Sequence, residues 1–293
     1  MPFPRVHPFF HKDTNTWSYV VAEAGVGAAA IVDPVLDFDL KAGRISTSAA
    51  ERLLDCVREH GYEVQWILET HAHADHLSAG HWLRQRLPRA RLAIGDGIRA
   101  VQRTFAPIFN FGDSFARDGS QFDHLFADTE RFTVGALPAQ ALAAPGHTSD
   151  SVAYLIGDAL FPGDSLFLPD AGTARCDFPG GDAATLYRSI QRLFELPDAT
   201  RVFVCHDYGI HAGQGRDREV ACESTIGEQK RTNIHLRDNT SEAQFVAMRE
   251  ARDATLPMPA LILPAVQVNI RAGELPPADA NGVRYLRIPL DQL

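Results

Sequence analysis

The segment Thr70-His71-Ala72-His73-Ala74-Asp75-His76 sets three histidines and an aspartate within six residues, directly after an apolar run. Imidazoles and carboxylates are the donors that hold zinc, iron and related ions. On an extended segment side chains two apart share a face, so His71 and His73 can address one ion. Asp75 and His76 follow where the chain should turn, which lets them face a second ion. Ala72 and Ala74 leave the donors room. Packed together without a metal, these groups would be mutually repelling or unpaired.

Three later positions echo the cluster: His147 in Pro145-Gly146-His147, Asp164 in Pro162-Gly163-Asp164 and His206 in Cys205-His206-Asp207. Each ends a strand-like run, and a glycine beside two of them lets the backbone turn sharply. His71, His73, Asp75, His76, His147, Asp164 and His206 make seven potential ligands. That set is enough for two adjacent ions with Asp164 as a bridge, an arrangement that clamps a hydrolytic water. Two imidazoles and one carboxylate also form a facial triad, which leaves open positions on Fe(II) for dioxygen and a substrate donor. Ligand types alone leave both chemistries open.

Composition narrows the remainder. The 293 residues include 12 histidines but only 4 cysteines, and Cys56, Cys176, Cys205 and Cys222 form no CxxC pair, which excludes a disulfide scaffold and a zinc ribbon. The net charge of −9 argues against general nucleic-acid binding. No stretch is long and apolar enough to span a membrane, and the N-terminus lacks a positive region followed by an apolar run. These features lead us to expect a soluble protein of the cytoplasm.

The elements that must position the ligands alternate between strand and helix. Trp17–Ala22 and Ala28–Val32 read as a hairpin turning at Gly25-Val26-Gly27, with Asp33-Pro34 after it. Helices are expected at Ser48–His60, with a capping box from Ser48 and Glu51, and at Ser78–Leu87, ended by Pro88. Strands are expected at Val64–Glu69, Ala139–Ala144, Ser151–Ile156, Ala159–Phe161 and Arg201–Cys205. Further helices are expected from an Asp182 cap to Phe194, at Glu219–Leu236 and at Ser241–Asp253. A Pro-rich tail carries the apolar run Leu261–Ile270, a candidate cover for the substrate pocket or contact for a homodimer. Without repeats or a long linker, the chain reads as one domain over 1–293, with a helical and Pro-rich C-terminal extension from about 216. Hairpins in both halves favour stacked sheets flanked by helices.

The order HxHxDH, GH, GD and H, from His71 to His206, resembles the metallo-β-lactamase fold in its glyoxalase II and persulfide dioxygenase branch. That resemblance implies an α/β protein, a four-layered αββα sandwich with its metal site at one edge of the paired sheets. Arg175-Cys176-Asp177-Phe178 after the Asp164 motif is similar to the Arg-x-Asp-Phe segment of persulfide dioxygenases. So are His206-Asp207-Tyr208 and the Glu228–Asn233 segment, which resemble the bacterial type that accepts glutathione persulfide. This implies one Fe(II) per chain held by His71, His147 and Asp164, with His73, Asp75, His76 and His206 behind the ligands or on a second metal. The implied reaction takes glutathione persulfide and O2 to sulfite and glutathione. Glutathione's carboxylates need a local cationic patch in an acidic protein. Lys230 and Arg231 are the first candidates, Arg175 is the next, with an ion pair to Asp177 or Asp170 as its alternative, and Tyr208 is a further contact. Cys176 has no neighbouring base and Ser165 no need to act as nucleophile. Two other readings stay open: a glyoxalase II-type thioester hydrolase with two zinc or mixed ions, and a non-enzymatic sulfane-sulfur or metal-binding sensor.

Overall fold

A computed structural model describes residues 3–25, 27–209, 218–237 and 239–292. Val26 of the expected turn and the start of the expected C-terminal extension at 216 lie outside the described residues. The first half contains β1 (Arg5–His11), β2 (Thr16–Ala22), β3 (Ala28–Val32), β4 (Val35–Asp39), β5 (Arg44–Ser46), α1 (Ser48–His60), β6 (Glu63–Leu68), β7 (Leu77–Ser78), α2 (Gly80–Arg86), β8 (Arg91–Gly95), α3 (Ile98–Ile108) and β9 (His124–Phe126). The second contains β10 (Arg131–Val134), β11 (Leu137–Ala143), β12 (Val152–Ile156), β13 (Ala159–Phe161), α4 (Ala183–Leu193), β14 (Arg201–Phe203), β15 (Glu223–Thr225), α5 (Ile226–Thr232), α6 (Glu242–Asp253) and α7 (Ile262–Asn269).

Among the described residues the strands form two six-stranded sheets, ordered β1-β2-β3-β6-β8-β9 and β10-β11-β12-β13-β14-β15, and a small sheet β5-β4-β7. Strand periodicity sorts the side chains into three interlayer cores. On β2, Val20 turns outward toward Leu53, Val57 and Ile98 of the first helical layer, while Tyr19 and Val21 turn inward to meet Tyr154, Ile156 and Phe161 of the second sheet. Behind the second sheet, Ala153 and Val202 pack with Leu186 and Ile190 of α4 and Phe245 of α6. The result is the expected helix–sheet–sheet–helix layering of a metallo-β-lactamase fold.

Three local expectations differ. Thr47, not Ser48, caps α1, and its hydroxyl meets Glu51 Oε1 at 2.8 Å. The expected Glu219–Leu236 helix is shorter, because β15 pairs antiparallel with β14 and only Ile226–Thr232 is helical. Strand pairing satisfies backbone groups of β14 that a longer helix would leave bare. The Leu261–Ile270 run forms α7, which is buried with the helices of the first layer and so is spent on the chain's own core. Asp182 does cap α4, accepting from Thr185 N at 2.7 Å.

Candidate metal centre and substrate cavity

β11, β13 and β14 run in one direction, since β12 is antiparallel to β11 and β13 while β13 and β14 are parallel. Their carboxyl ends therefore deliver His147, Asp164 and His206 to one edge. In the other sheet β3 and β6 are parallel and deliver Asp33 and the His71–His76 loop. Backbone bonds close the two edges on each other: Val152 N donates to Thr70 O at 2.9 Å and Trp17 N to Cys205 O at 2.7 Å. Two glycines are required here. Gly163 has φ +54°, and a Cβ would lie 2.7 Å from Thr70 Oγ1; Gly146 has φ +138°, and a Cβ would lie 2.3 Å from Leu186 backbone atoms.

All seven expected ligands converge. One donor atom each from His71, His147 and Asp164 lies within 4.8 Å of the others, and the same holds for His73, Asp75, His76 and His206. The groups touch at Asp164, whose Oδ2 is 3.5 Å from His147 Nε2 and whose Oδ1 is 3.4 Å from His206 Nε2. His206 Nε2 also lies 3.3 Å from Asp75 Oδ2.

The other ring atoms are held from behind. His147 Nδ1 meets Arg175 O at 2.7 Å and His71 Nδ1 meets Thr70 Oγ1 at 3.1 Å. His73 Nε2 meets Asp33 Oδ1 at 3.1 Å, and His206 Nδ1 meets Asn15 O at 3.3 Å. This orientation leaves His71 Nε2, His73 Nδ1, His206 Nε2 and Asp164 Oδ1 buried without a hydrogen-bond partner, along with both ring nitrogens of His76. Such atoms are costly unless a ligand satisfies them, and a carboxylate or carbonyl behind an imidazole is the usual support for a metal-binding histidine. The residues fit a metal ion.

Protonation agrees. Burial and neighbouring imidazoles push the pKa values of His71 and His73 well below the ordinary range, so their lone pairs are free at neutral pH. Burial opposes ionisation of Asp75, but His206 and His76 outweigh it and hold its carboxyl well below the carboxylate range. Burial raises the Asp164 pKa, with His206 and His147 opposing.

Several supporting residues carried no recognised motif. Asp33 accepts from Thr70 N at 2.7 Å and Thr70 Oγ1 at 2.9 Å as well as holding His73. Asp150 Oδ2 accepts from Ala72 N at 2.8 Å. Asn269 of α7 donates to the carbonyls of His73 at 2.7 Å and His76 at 2.8 Å, tying the C-terminal region to the ligand loop. Asp33 ends a strand as the ligands do, which was its only sequence signal.

A cavity of about 360 Å³ opens from His147, Asp164 and Asp75 and is walled by Phe167, Phe178, Tyr208, Arg175, Arg252 and Leu256. Tyr208 is half-exposed there, its ring stacked near His206 at 6.2 Å. Arg175 lines the cavity with its charge already committed: Nε and Nη2 donate to Asp177 at 2.5 and 2.6 Å, and Nη1 to Pro257 O at 2.6 Å. Buried Arg249 is likewise paired with Asp253 at 2.7 Å. Lys230 and Arg231 are not brought to this cavity. Gln229 turns inward, donating to Phe167 O at 2.8 Å, so the next residues of α5 face out; Lys230 pairs with Asp198 at 2.7 Å and Arg231 is exposed. Arg252, absent from the sequence expectations, lines the cavity without a carboxylate partner among the described residues.

Residues 11–206 match the model of the metallo-beta-lactamase superfamily, a span that takes in every residue of both donor groups. The chain belongs to the metallo-beta-lactamase superfamily. Among curated relatives it is 48% identical to a probable metallo-hydrolase of Burkholderia pseudomallei over 98% of this chain and 99% of the relative. It is 45% identical to Glyoxylase B2 of Dictyostelium discoideum over 99% of this chain and 98% of the relative. It is 28% identical to the mitochondrial persulfide dioxygenase ETHE1 of Bos taurus over 92% and 89%. Among solved structures, ETHE1 from Myxococcus xanthus superposes with a TM-score of 0.71 at 31% identity, covering 92% of this chain and all of that one. The superfamily supports a metal-dependent enzyme, a hydrolase or a dioxygenase. No helix among the described residues is long and apolar enough to cross a membrane.

Proposed function

We propose that this protein is a mononuclear iron persulfide dioxygenase that converts glutathione persulfide, dioxygen and water to glutathione and sulfite. The observation that carries the reading is the trio His71, His147 and Asp164, two imidazoles and one carboxylate with mutually close donors, of which His147 and Asp164 line a cavity with an apolar wall. A bound Fe(II) would supply sulfur coordination and dioxygen activation, chemistry that side chains lack. The chain's own residues do the rest. Arg175 O orients His147, and Thr70 orients His71. The Arg175–Asp177 pair and the Arg249–Asp253 pair brace the 173–177 segment against α6, with Cys176 N donating to Asp253 Oδ2 at 2.8 Å. Phe167 and Phe178 keep water from the sulfur end, and Arg252 offers the unpaired charge for a glutathione carboxylate at the rim. The resemblance to the persulfide dioxygenases of the branch supports the same assignment.

A second reading is a glyoxalase II-type dinuclear thioester hydrolase acting on S-acyl glutathione. It is favoured by the intact second group, His73, Asp75, His76 and His206, and by the 45% identity to Glyoxylase B2. One paired assay separates the two. Oxygen uptake on addition of glutathione persulfide, with sulfite formed and no hydrolysis of an S-acyl glutathione, is the expected outcome. Thioester hydrolysis without oxygen uptake would overturn the dioxygenase reading.

A further inference from the structure

A second set of metal donors lies at the opposite end of β6 from the centre described above. His7 on β1, Cys56 and His60 on the last turns of α1 each offer one ligand atom, and these atoms lie within 4.8 Å of one another. β6 begins three residues after His60 and is six residues long, so about 20 Å of strand separates this cluster from the His71 loop. Cys56 and His60 are four apart on a helix and therefore share a face. Cys56 Sγ is 3.8 Å from His60 Nδ1, and that same Nδ1 donates to Cys56 O at 3.0 Å, so Nε2 is the atom His60 has left for an ion.

The surroundings match those of a metal-binding imidazole pair. His7 Nε2 meets Tyr62 Oη at 3.0 Å, which fixes the ring and leaves Nδ1 for another partner. The His7 and His60 rings sit 4.6 Å apart, and His60 stacks on Tyr62 at 5.1 Å and 11°. Cys56 is buried, His7 half-buried and His60 exposed. Tyr62 Oη holds one nitrogen of His7 and Cys56 O one nitrogen of His60, which leaves the other nitrogen of each ring without a hydrogen-bond partner among the described residues.

We propose that His7, Cys56 and His60 form a second metal site, specific for a borderline divalent ion of the zinc type, that clamps edge strand β1 to the end of α1. Thiolate and imidazole together select zinc over magnesium or calcium. Three protein donors leave a fourth position for water. On binding, the Cys56 S–H gives its proton to solvent, a sulfur–metal bond forms, and the ion stays divalent. Burial, with Arg5 and His60 nearby, pushes the His7 pKa down and keeps that ring neutral. Burial and Glu59 push the Cys56 thiol up, so it stays protonated until an ion displaces the proton.

The test is a titration of the metal-loaded enzyme with Co(II), read by the near-ultraviolet thiolate-to-cobalt band, and with Zn(II), read by competition against that band. One further equivalent with the band is expected, and the band should vanish in Cys56→Ser. His60→Gln, an exposed change that spares the core, should weaken binding by about tenfold or more, since even supporting residues behind a ligand are worth that much. Activity toward the substrate should be unchanged in His60→Gln. Absence of the band in the wild type, its survival in Cys56→Ser, or unaltered affinity in His60→Gln would each overturn the proposal.

Discussion

At the metal centre, His71 Nε2, His73 Nδ1, His206 Nε2 and Asp164 Oδ1 are buried with no hydrogen-bond partner. In the cavity wall a few residues away, Arg175 and Arg249 find theirs in Asp177, Asp253 and the carbonyls of Pro257 and Thr173. Both regions are polar; the first comes from strand ends and the loops beyond them, the second from the 173–177 loop and α6. The difference is that one saturates its groups internally and the other holds them open. Unpaired buried donors, fixed from behind, mark where a ligand must complete the structure; saturated ions mark scaffolding, however close they lie to the site. Arg252, exposed in the cavity wall, has no carboxylate partner among the described residues.

Substitutions can break this division. The largest effect is expected from Asp164→Ala or His147→Ala, each of which removes one of three donors to the proposed iron. Oxygen uptake should fall by about a thousandfold or more, with iron lost, because the ion supplies the chemistry. Iron retention with normal uptake would show that the open groups are not ligands.

Next comes the scaffold. Asp253→Asn keeps the shape but strips the partner from Arg249, which is buried, and should cost about 3–5 kcal/mol in urea unfolding. Iron content of the folded fraction should stay at the wild-type level. A loss of iron without loss of stability would place Asp253 with the open groups instead.

The smallest effect sharpens the assignment of charge. Arg252→Ala should raise KM for a glutathione-based substrate about tenfold, equivalent to about 1.4 kcal/mol, with kcat within about twofold. Lys230→Ala should leave both constants within about twofold, since its partner Asp198 is on the surface. Comparable KM increases in both variants would return Lys230 to the binding surface.

The candidate ligands His147, Asp164 and His206 were legible because each ends a strand-like run, and two of them follow a glycine with positive φ. Layering was legible from hairpins in both halves. What stayed hidden depends on contacts between distant segments. Asn269 acts on carbonyls 196 and 193 residues away, and nothing local distinguishes it from a buried polar residue of α7. The helix expected over Glu219–Leu236 gave way because β14 needed a partner that only the fold reveals. Lys230 and Arg231 looked free because a sequence does not show Asp198 across from one or the inward turn of Gln229 before both. Arg252 drew no attention because its place in the cavity wall is set by the fold and not by any local pattern.

In the proposed dioxygenase the two donor groups are unequal, and His71, His147 and Asp164 alone hold the working iron. The most direct test is iron content per chain after anaerobic Fe(II) loading and desalting, in the wild type and in His206→Ala. About one iron per chain is expected in both. Two ions in the wild type, with His206→Ala losing one or both, would contradict it and establish a shared dinuclear centre.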